Sequence, residues 1–99
     1  MTDAMQRLLE RLQTGWAPHA NEIDPVIAMR DLMDWEFWKK TGRLIGWEID
    51  WNDDPPGVDN KETGEVLWID ENLGWALCED GFWWLYTREE GEKMRYLGG

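Results

Sequence analysis

The spacing of the apolar residues changes near residue 43 of this 99-residue chain, and this change constrains the fold more than any other feature. Before it, apolar residues recur every three to four positions, as on one face of an amphipathic helix. After it, they alternate with polar residues, which is the period of a half-buried strand. The sequence therefore predicts an α+β fold, with a helical part in residues 1–42 and an antiparallel sheet of four to five strands in residues 43–97.

Two N-terminal helices are predicted. In residues 3–13, the side chains of Met5, Leu8 and Leu12 share one helical face. A second helix should begin at Asp24 and Pro25, since these residue types favour a cap and a first helical turn, and should reach residue 40. We expect both helices to pack against one face of the sheet.

The first predicted strand begins at Arg43. Ile45, Trp47, Ile49 and Trp51 point to one side of it, and Gly46, Glu48 and Asp50 point to the other. Residues 52–64 follow, and residues 53–57 are two aspartates, two prolines and a glycine, which do not continue a strand. This stretch predicts a long acidic loop.

The second half of the sheet is predicted to contain a tight hairpin. Asp80-Gly81 is a strong two-residue turn signal, which would pair Glu79 with Phe82 and Leu77 with Trp84. Both faces of this hairpin are apolar. Either the sheet is covered on both sides, or the face with Trp75, Trp84 and Tyr86 is partly open as a contact platform.

The C-terminal segment allows two interpretations. Thr87 and Glu90 fit a capping box that would start a short helix. Alternatively, residues 89–91 turn the chain into a last strand over residues 93–97. A glycine at position 91 would cost a helix about 1 kcal/mol, so the strand is favoured.

Length and cysteine content limit the class of protein. Ninety-nine residues suffice for one domain with one hydrophobic core. Cys78 is the sole cysteine, so no disulfide can form within the chain, and a reducing cytoplasm is the expected location. The longest apolar run, Phe82 to Tyr86, is too short to cross a bilayer.

The residues needed for common enzyme chemistry are scarce. The chain has no serine, and its one histidine, His19, has no second histidine with which to hold a metal. Cys78 falls inside a predicted strand, where we expect an inert buried thiol. Residues 50, 52 and 54 match the start of a calcium-binding loop, but Pro55 and Lys61 occupy positions that require glycine and glutamate. We therefore expect no enzyme activity, no cofactor and no metal site.

Negative charge is concentrated in the second half of the chain. The net charge is −11, and residues 44–87 contain eleven acids against Lys61 alone. The remaining residues contain ten acids and nine bases, and are nearly neutral. Such an asymmetry repels nucleic-acid backbones and anionic membranes, and it attracts a basic protein surface.

This charge pattern predicts a small acidic inhibitor or adaptor that docks on a basic, nucleic-acid-binding protein. In size and acidity alone, the chain is similar to phage anti-defence inhibitors, of the anti-CRISPR or anti-restriction type, and to toxin-immunity proteins. Such a protein could act by nucleic-acid mimicry, because Glu48 and Asp50 would lie about 6.8 Å apart on one side of a strand. The candidate partner-binding residues are Glu48, Asp50, Trp51, Asp53, Asp54, Asp59, Trp68, Asp70, Glu71 and Trp75. The alternative is a glycan- or peptide-binding module that uses an exposed tryptophan platform.

Overall fold

The computed structural model describes residues 3–15, 23, 27–72 and 74–98, and it confirms the α+β class. Its elements are helix α1 (Asp3–Gln13), strands β1 (Met29–Trp38), β2 (Arg43–Asp50), β3 (Gly57–Asp70), β4 (Trp75–Cys78) and β5 (Gly81–Tyr86), and helix α2 (Arg88–Lys93), which continues as a π-helical segment, Met94–Gly98. The five strands agree with the predicted number. The helices do not follow the predicted arrangement, since one is N-terminal and the other is C-terminal.

The five strands form a closed barrel in the order β1-β2-β3-β4-β5. Each strand is antiparallel to the next one along the chain, and β1 closes the barrel by pairing in parallel with β5, from Met29 opposite Phe82 to Met33 opposite Tyr86. A parallel closure is required because the first and fifth strands of an up-and-down sheet run in the same direction. Closure leaves no free sheet edge between β1 and β5.

The predicted second helix is wrong, because residues 29–38 form strand β1. The predicted cap at Asp24 and Pro25 lies outside the described residues. Strand β1 has an irregularity between Met33 and Glu36, where Asp34 adopts a φ of 53°. A bulge inserts an extra residue into a strand and shifts the phase of its side chains. The helix prediction rested on the spacing of Met29, Met33 and Phe37, of which only Met33 is buried, and it passed over the apolar–polar alternation from Met33 to Phe37.

The predicted loop over residues 52–64 is also wrong. Only residues 51–56 separate β2 from β3, and β3 then continues for fourteen residues. Its first half pairs with β2 and its second half pairs with β4. The side chains of the first half are mostly polar and exposed. This half still belongs to the sheet, because its backbone pairs with β2. Thr63 is the exception, since it is buried and its Oγ1 accepts a hydrogen bond from the Leu44 amide at 3.0 Å.

Strand β2 is confirmed, but its interior side is the one with Leu44 and Gly46. Leu44 is buried in the barrel, and a Cβ at Gly46 would lie 3.1 Å from the Leu32 side chain. Trp47, on the opposite side, stays partly exposed.

The β4–β5 hairpin is confirmed, but its register differs from the prediction. The turn residues are Glu79 and Asp80, so that Cys78 lies opposite Gly81 and Leu77 opposite Phe82. Gly81 has a φ of 139°, and a Cβ at this position would lie 2.6 Å from the carbonyl oxygen of Ala28. Gly81 directly follows the turn. Because it has no side chain, it also allows the segment before β1 to approach β5 closely.

The predicted strand over residues 93–97 is wrong, and the capping box forms instead. The Thr87 hydroxyl accepts from the Glu90 amide at 3.1 Å, and the Glu90 carboxylate accepts from the Thr87 amide at 2.9 Å. A Cβ at Gly91 would lie 2.6 Å from Met33. The glycine lowers helix propensity, but it lets α2 pack directly on β1.

The buried side chains form two clusters, one on each side of the β4–β5 hairpin. The barrel interior contains Leu32, Leu44, Ala76, Cys78, Trp83 and Leu85. The second cluster, outside the barrel, includes Met5, Leu8 and Leu12 of α1 together with Trp75, Leu77 and Phe82. Helix α1 therefore covers the face that could have formed an open tryptophan platform, and Trp75 is 2% exposed.

Candidate binding surface: an acidic cleft at one end of the barrel

A cleft of about 430 Å³ lies where β1 begins, β2 ends and β3 begins. Among its lining residues are four carboxylates and two exposed apolar side chains, namely Asp31, Glu48, Asp50, Asp59, Met29 and Trp51. Four of these six, all except Asp31 and Met29, are candidate partner-binding residues from the sequence. We call this surface, together with Asp53 and Asp54 of the adjoining turn, the acidic cleft.

Strand pairing brings the acidic residues together. Glu48 lies directly opposite Asp59 in the β2–β3 ladder. Like charges in this position repel each other. Two cations reduce that repulsion, since Arg30 Nε lies 3.6 Å and Lys61 Nζ lies 3.7 Å from the Glu48 carboxylate. Glu48 is therefore locally compensated, and it contributes less to the outward potential than the sequence suggested.

Arg30 also ties the cleft to the neighbouring end of the barrel. Its guanidinium lies 5.2 Å from the centre of the Trp83 ring and 3.5 Å from Asp80. The Trp83 indole donates a hydrogen bond to the same Asp80 carboxylate at 3.1 Å. This network spans three strands and a turn, so the floor of the cleft is held by several elements.

Trp51 is fixed at the rim of the cleft although its ring is 41% exposed. Its indole Nε1 donates to Asp31 Oδ2 at 2.8 Å, and the Tyr86 hydroxyl donates to the other oxygen of Asp31 at 2.9 Å. Burial raises the pKa of Tyr86 well above its usual range, and the negative charge of Asp31 raises it further. The phenol therefore stays a donor, and the indole ring is held in one orientation.

The sequence did not reveal Asp31 and Tyr86 as part of this surface. Asp31 was assigned to a helix, whereas in the barrel it lies on β1 next to β5. Residues this far apart along the chain meet only through the β1–β5 closure, and no local sequence pattern indicates that pairing.

The turn beside the cleft presents two further carboxylates. Asp53 and Asp54 are exposed, and the Asp54–Pro55 peptide bond is cis. Asp50 Oδ1 accepts from the Asn52 amide at 3.0 Å, which steadies the start of the turn. The Arg95 side chain donates to the Pro56 carbonyl at 2.6 Å, so the C-terminal helical segment holds the end of the turn.

The other four candidate residues lie outside the cleft. Trp75 is buried beneath α1, and Trp68 is partly buried against the same cluster. Asp70 pairs with Trp75 at the end of β3. Glu71 is exposed and lines a separate cleft. The ten candidates therefore do not form one surface, and Trp75 in particular is not available to a partner.

Cys78 is buried, as expected from the sequence. It is 0% exposed, and burial raises the pKa of its thiol to about 11. Its Sγ lies 3.7 Å from the Thr63 hydroxyl. A protonated and enclosed thiol is a poor nucleophile. His19 lies outside the described residues.

The described residues contain neither a cluster of metal ligands nor a helix that could span a membrane. Nowhere in that part of the chain do three or more histidine, cysteine or acidic side chains converge as metal ligands would. Of the helices described, none combines the length and apolar character needed to span a membrane.

No protein-family model matches the chain, and neither the curated proteins nor the solved structures include a significant match to it. The arrangement of charge and aromatic residues in the acidic cleft is therefore the basis for an assignment of function.

Proposed function

We propose that this protein is a small, non-enzymatic inhibitor or adaptor that binds a basic protein surface through its acidic cleft. The expected partner is a nucleic-acid-binding enzyme or effector. Phage anti-defence inhibitors and toxin-immunity proteins bind partners of this kind. The observation that carries the proposal is the convergence of Asp50, Asp59 and the exposed Trp51 in one cleft, next to Asp53 and Asp54. Clustered charge of one sign steers an oppositely charged partner and increases its association rate.

Trp51 supports the proposal in a second way. Tryptophan is frequent at the energetic centre of protein interfaces, because it offers a large apolar surface with few rotatable bonds. Its hydrogen bond to Asp31 removes much of the side-chain freedom that binding would otherwise have to restrict. An anchor of this kind, surrounded by carboxylates, suits a partner surface that combines arginine with apolar side chains.

A more specific form of this proposal is that the acidic cleft mimics a nucleic-acid strand. The pair first considered, Glu48 and Asp50, is weakened by the two cations at Glu48. Asp50, Asp53, Asp54 and Asp59 are the carboxylates that would take the places of phosphates. The glycan- or peptide-binding alternative relied on an open platform, and α1 covers Trp75 on that face, so we do not propose it as a second function.

Charge reversal at Asp53, Asp54 and Asp59 tests the proposed function. The Asp53→Lys, Asp54→Lys, Asp59→Lys variant should associate with an oligo-arginine peptide more slowly, by a factor of about ten to a thousand at low ionic strength. It should also lose the salt dependence of that rate. Stopped-flow fluorescence at several salt concentrations measures both quantities. A salt-gradient elution of host proteins from the immobilised chain then identifies the natural partner.

A matched variant controls for the change in net charge. Glu36, Glu62 and Glu71 are exposed and lie outside the cleft, so their replacement by lysine changes the net charge equally. The proposal requires this control variant to retain most of the wild-type association rate. Equal losses in both triple variants would show that total charge, rather than the cleft, attracts the peptide, and would contradict the proposal.

A further inference from the structure

The β1–β2 hairpin carries exposed positive charge in a molecule whose net charge is −11. Lys39 and Lys40 lie in the turn, and Arg43 begins β2. Other cations, such as Arg30 and Lys61, form ion pairs. Throughout the part of the chain that the structure describes, Lys39, Lys40 and Arg43 form no ion pair. The charges of Lys39 and Lys40 are therefore available to an anionic partner, whereas Arg43 lies directly opposite Glu65 in the β2–β3 ladder.

Two exposed aromatic residues adjoin these cations. Phe37 is 43% exposed and Trp38 is 48% exposed. The hairpin is held in place, because the Gly42 amide donates to the Trp38 carbonyl at 2.9 Å and the Val66 amide donates to the Gly42 carbonyl at 2.7 Å. We call residues 37–43 the basic hairpin. It is an ordered surface that combines positive charge with apolar area.

The basic hairpin and the acidic cleft cannot neutralise each other within one molecule. Strand β2 runs from Arg43 at the hairpin to Asp50 at the cleft. At a rise of about 3.3 Å per residue, these two residues lie roughly 23 Å apart. Electrostatic interactions are screened over about 8 Å at physiological ionic strength. The two surfaces therefore act as separate regions of opposite potential.

We propose that the basic hairpin of one molecule binds the acidic cleft of a second copy of this chain. The inference rests on the proposed function to the extent that the same cleft is the acceptor. The two surfaces are complementary in charge, and each also exposes two large apolar side chains, Phe37 and Trp38 on the hairpin and Met29 and Trp51 at the cleft. Burial of these side chains would add a hydrophobic contribution to the electrostatic one.

The separation of charge into two surfaces, rather than the net charge, favours a second copy over a phosphate-rich partner, because two whole copies of charge −11 repel each other. A membrane or a nucleic acid is anionic along its whole length, so a molecule of charge −11 would be repelled by it outside the hairpin contact. A second copy offers its acidic end to the hairpin, and its own basic hairpin lies at the far end. Contacts of this kind join molecules head to tail. They also occupy the cleft, so self-association competes with a foreign basic partner.

A charge-swap experiment on the purified chain tests this inference. The hairpin variant carries Lys39→Glu and Lys40→Glu, and the cleft variant carries Asp53→Lys, Asp54→Lys and Asp59→Lys. Sedimentation equilibrium at low ionic strength should show that the wild-type chain self-associates. Each variant alone should bind itself at least about tenfold more weakly, because like charges then face each other. An equimolar mixture of the two variants should regain association, because each reversed surface then meets an opposite charge.

The outcomes separate this inference from the proposed function. A wild-type chain that stays monomeric at low salt overturns the inference, and so does a mixture that associates no better than either variant alone. Circular dichroism confirms that both variants fold. Binding of the oligo-arginine peptide is measured in parallel. If the cleft variant loses peptide binding while the mixture fails to associate, the inference is wrong and the proposed function stands.

Discussion

At the residue scale, Gly91 improves the packing of helix α2 although glycine has a low helix propensity. The glycine weakens α2 by about 1 kcal/mol relative to alanine. It also leaves room for Met33, which a Cβ at position 91 would approach to 2.6 Å. Sequence reasoning included the first effect but could not include the second, because the second depends on which strand lies beneath the helix. The segment was therefore predicted to be a strand although the capping box at Thr87 and Glu90 was visible.

Replacing Gly91 by alanine should destabilise the protein despite the gain in helix propensity. Overpacking against a buried side chain costs about 1–3 kcal/mol, which exceeds the propensity gain. Urea unfolding followed by circular dichroism measures the difference. Lys93→Ala, at an exposed position of the same helix, is the control and should change the free energy of unfolding little. A more stable Gly91→Ala variant would show that α2 does not pack on Met33.

At the element scale, strand β1 explains why the sequence misplaced an entire helix. Residues Met33 to Phe37 alternate between apolar and polar, which is a strand pattern. Met29, Met33 and Phe37 also match the spacing of a helical face, but only Met33 is buried. Strand β2 was correctly predicted as a strand from its alternation, although Leu44 and Gly46, rather than Ile45 and Trp47, face the barrel interior. The β4–β5 hairpin was likewise found from its turn residues, and only its register was misassigned.

The C-terminal helix should depend on pH through its capping box. Hydrogen bonds with Thr87 lower the pKa of Glu90 below its usual value of 4.5. The folded-state pKa is thus below that of the unfolded chain, so the carboxylate stabilises the fold at neutral pH. This contribution is lost as the pH falls below about 4.5 and through the folded-state value. Urea unfolding across an acidic pH series measures the loss.

Thr87→Ala provides the comparison. At neutral pH the variant should be less stable by about 1 kcal/mol, as for loss of other helix caps. Without the Thr87 hydroxyl, part of what lowers the pKa of Glu90 is removed, so the variant should lose less stability on acidification than the wild type. Identical pH profiles for the two proteins would mean that the capping box does not contribute in solution.

At the scale of the whole molecule, part of the acidic cleft consists of residues that are close in sequence and were predicted. The other part consists of residues that the strand topology brings together. The acids between Glu48 and Asp59 are close in sequence and lie together in the cleft. Asp31 joins them because β1 pairs with β2, and the pairing of β1 with β5 brings Tyr86 to Asp31. Trp75 was expected at the surface, but α1 folds back over its face of the hairpin. Local charge was therefore easier to predict than the choice of which aromatic residues stay exposed.

The same charge distribution should make the stability of the fold depend on salt. A net charge of −11 on a small body produces repulsion that favours the unfolded chain, and added salt screens it. The urea concentration at the unfolding midpoint should rise with sodium chloride at neutral pH. The Glu36→Lys, Glu62→Lys, Glu71→Lys variant, which is less negative, should show a smaller rise. A midpoint that falls with salt would indicate that the ion pairs outweigh the general repulsion.

The parallel seam between β1 and β5 also affects how the barrel is assembled. The residues joined there belong to the first and last strands, so forming the seam closes a loop of about fifty residues and carries a large entropic cost. Contacts between distant parts of a sequence slow folding. Until the seam closes, two strands offer unpaired amides and carbonyls to any neighbouring chain. Closure of the β1–β5 pairing therefore completes the surface beside Asp31 and covers the strand edges at which other chains could add.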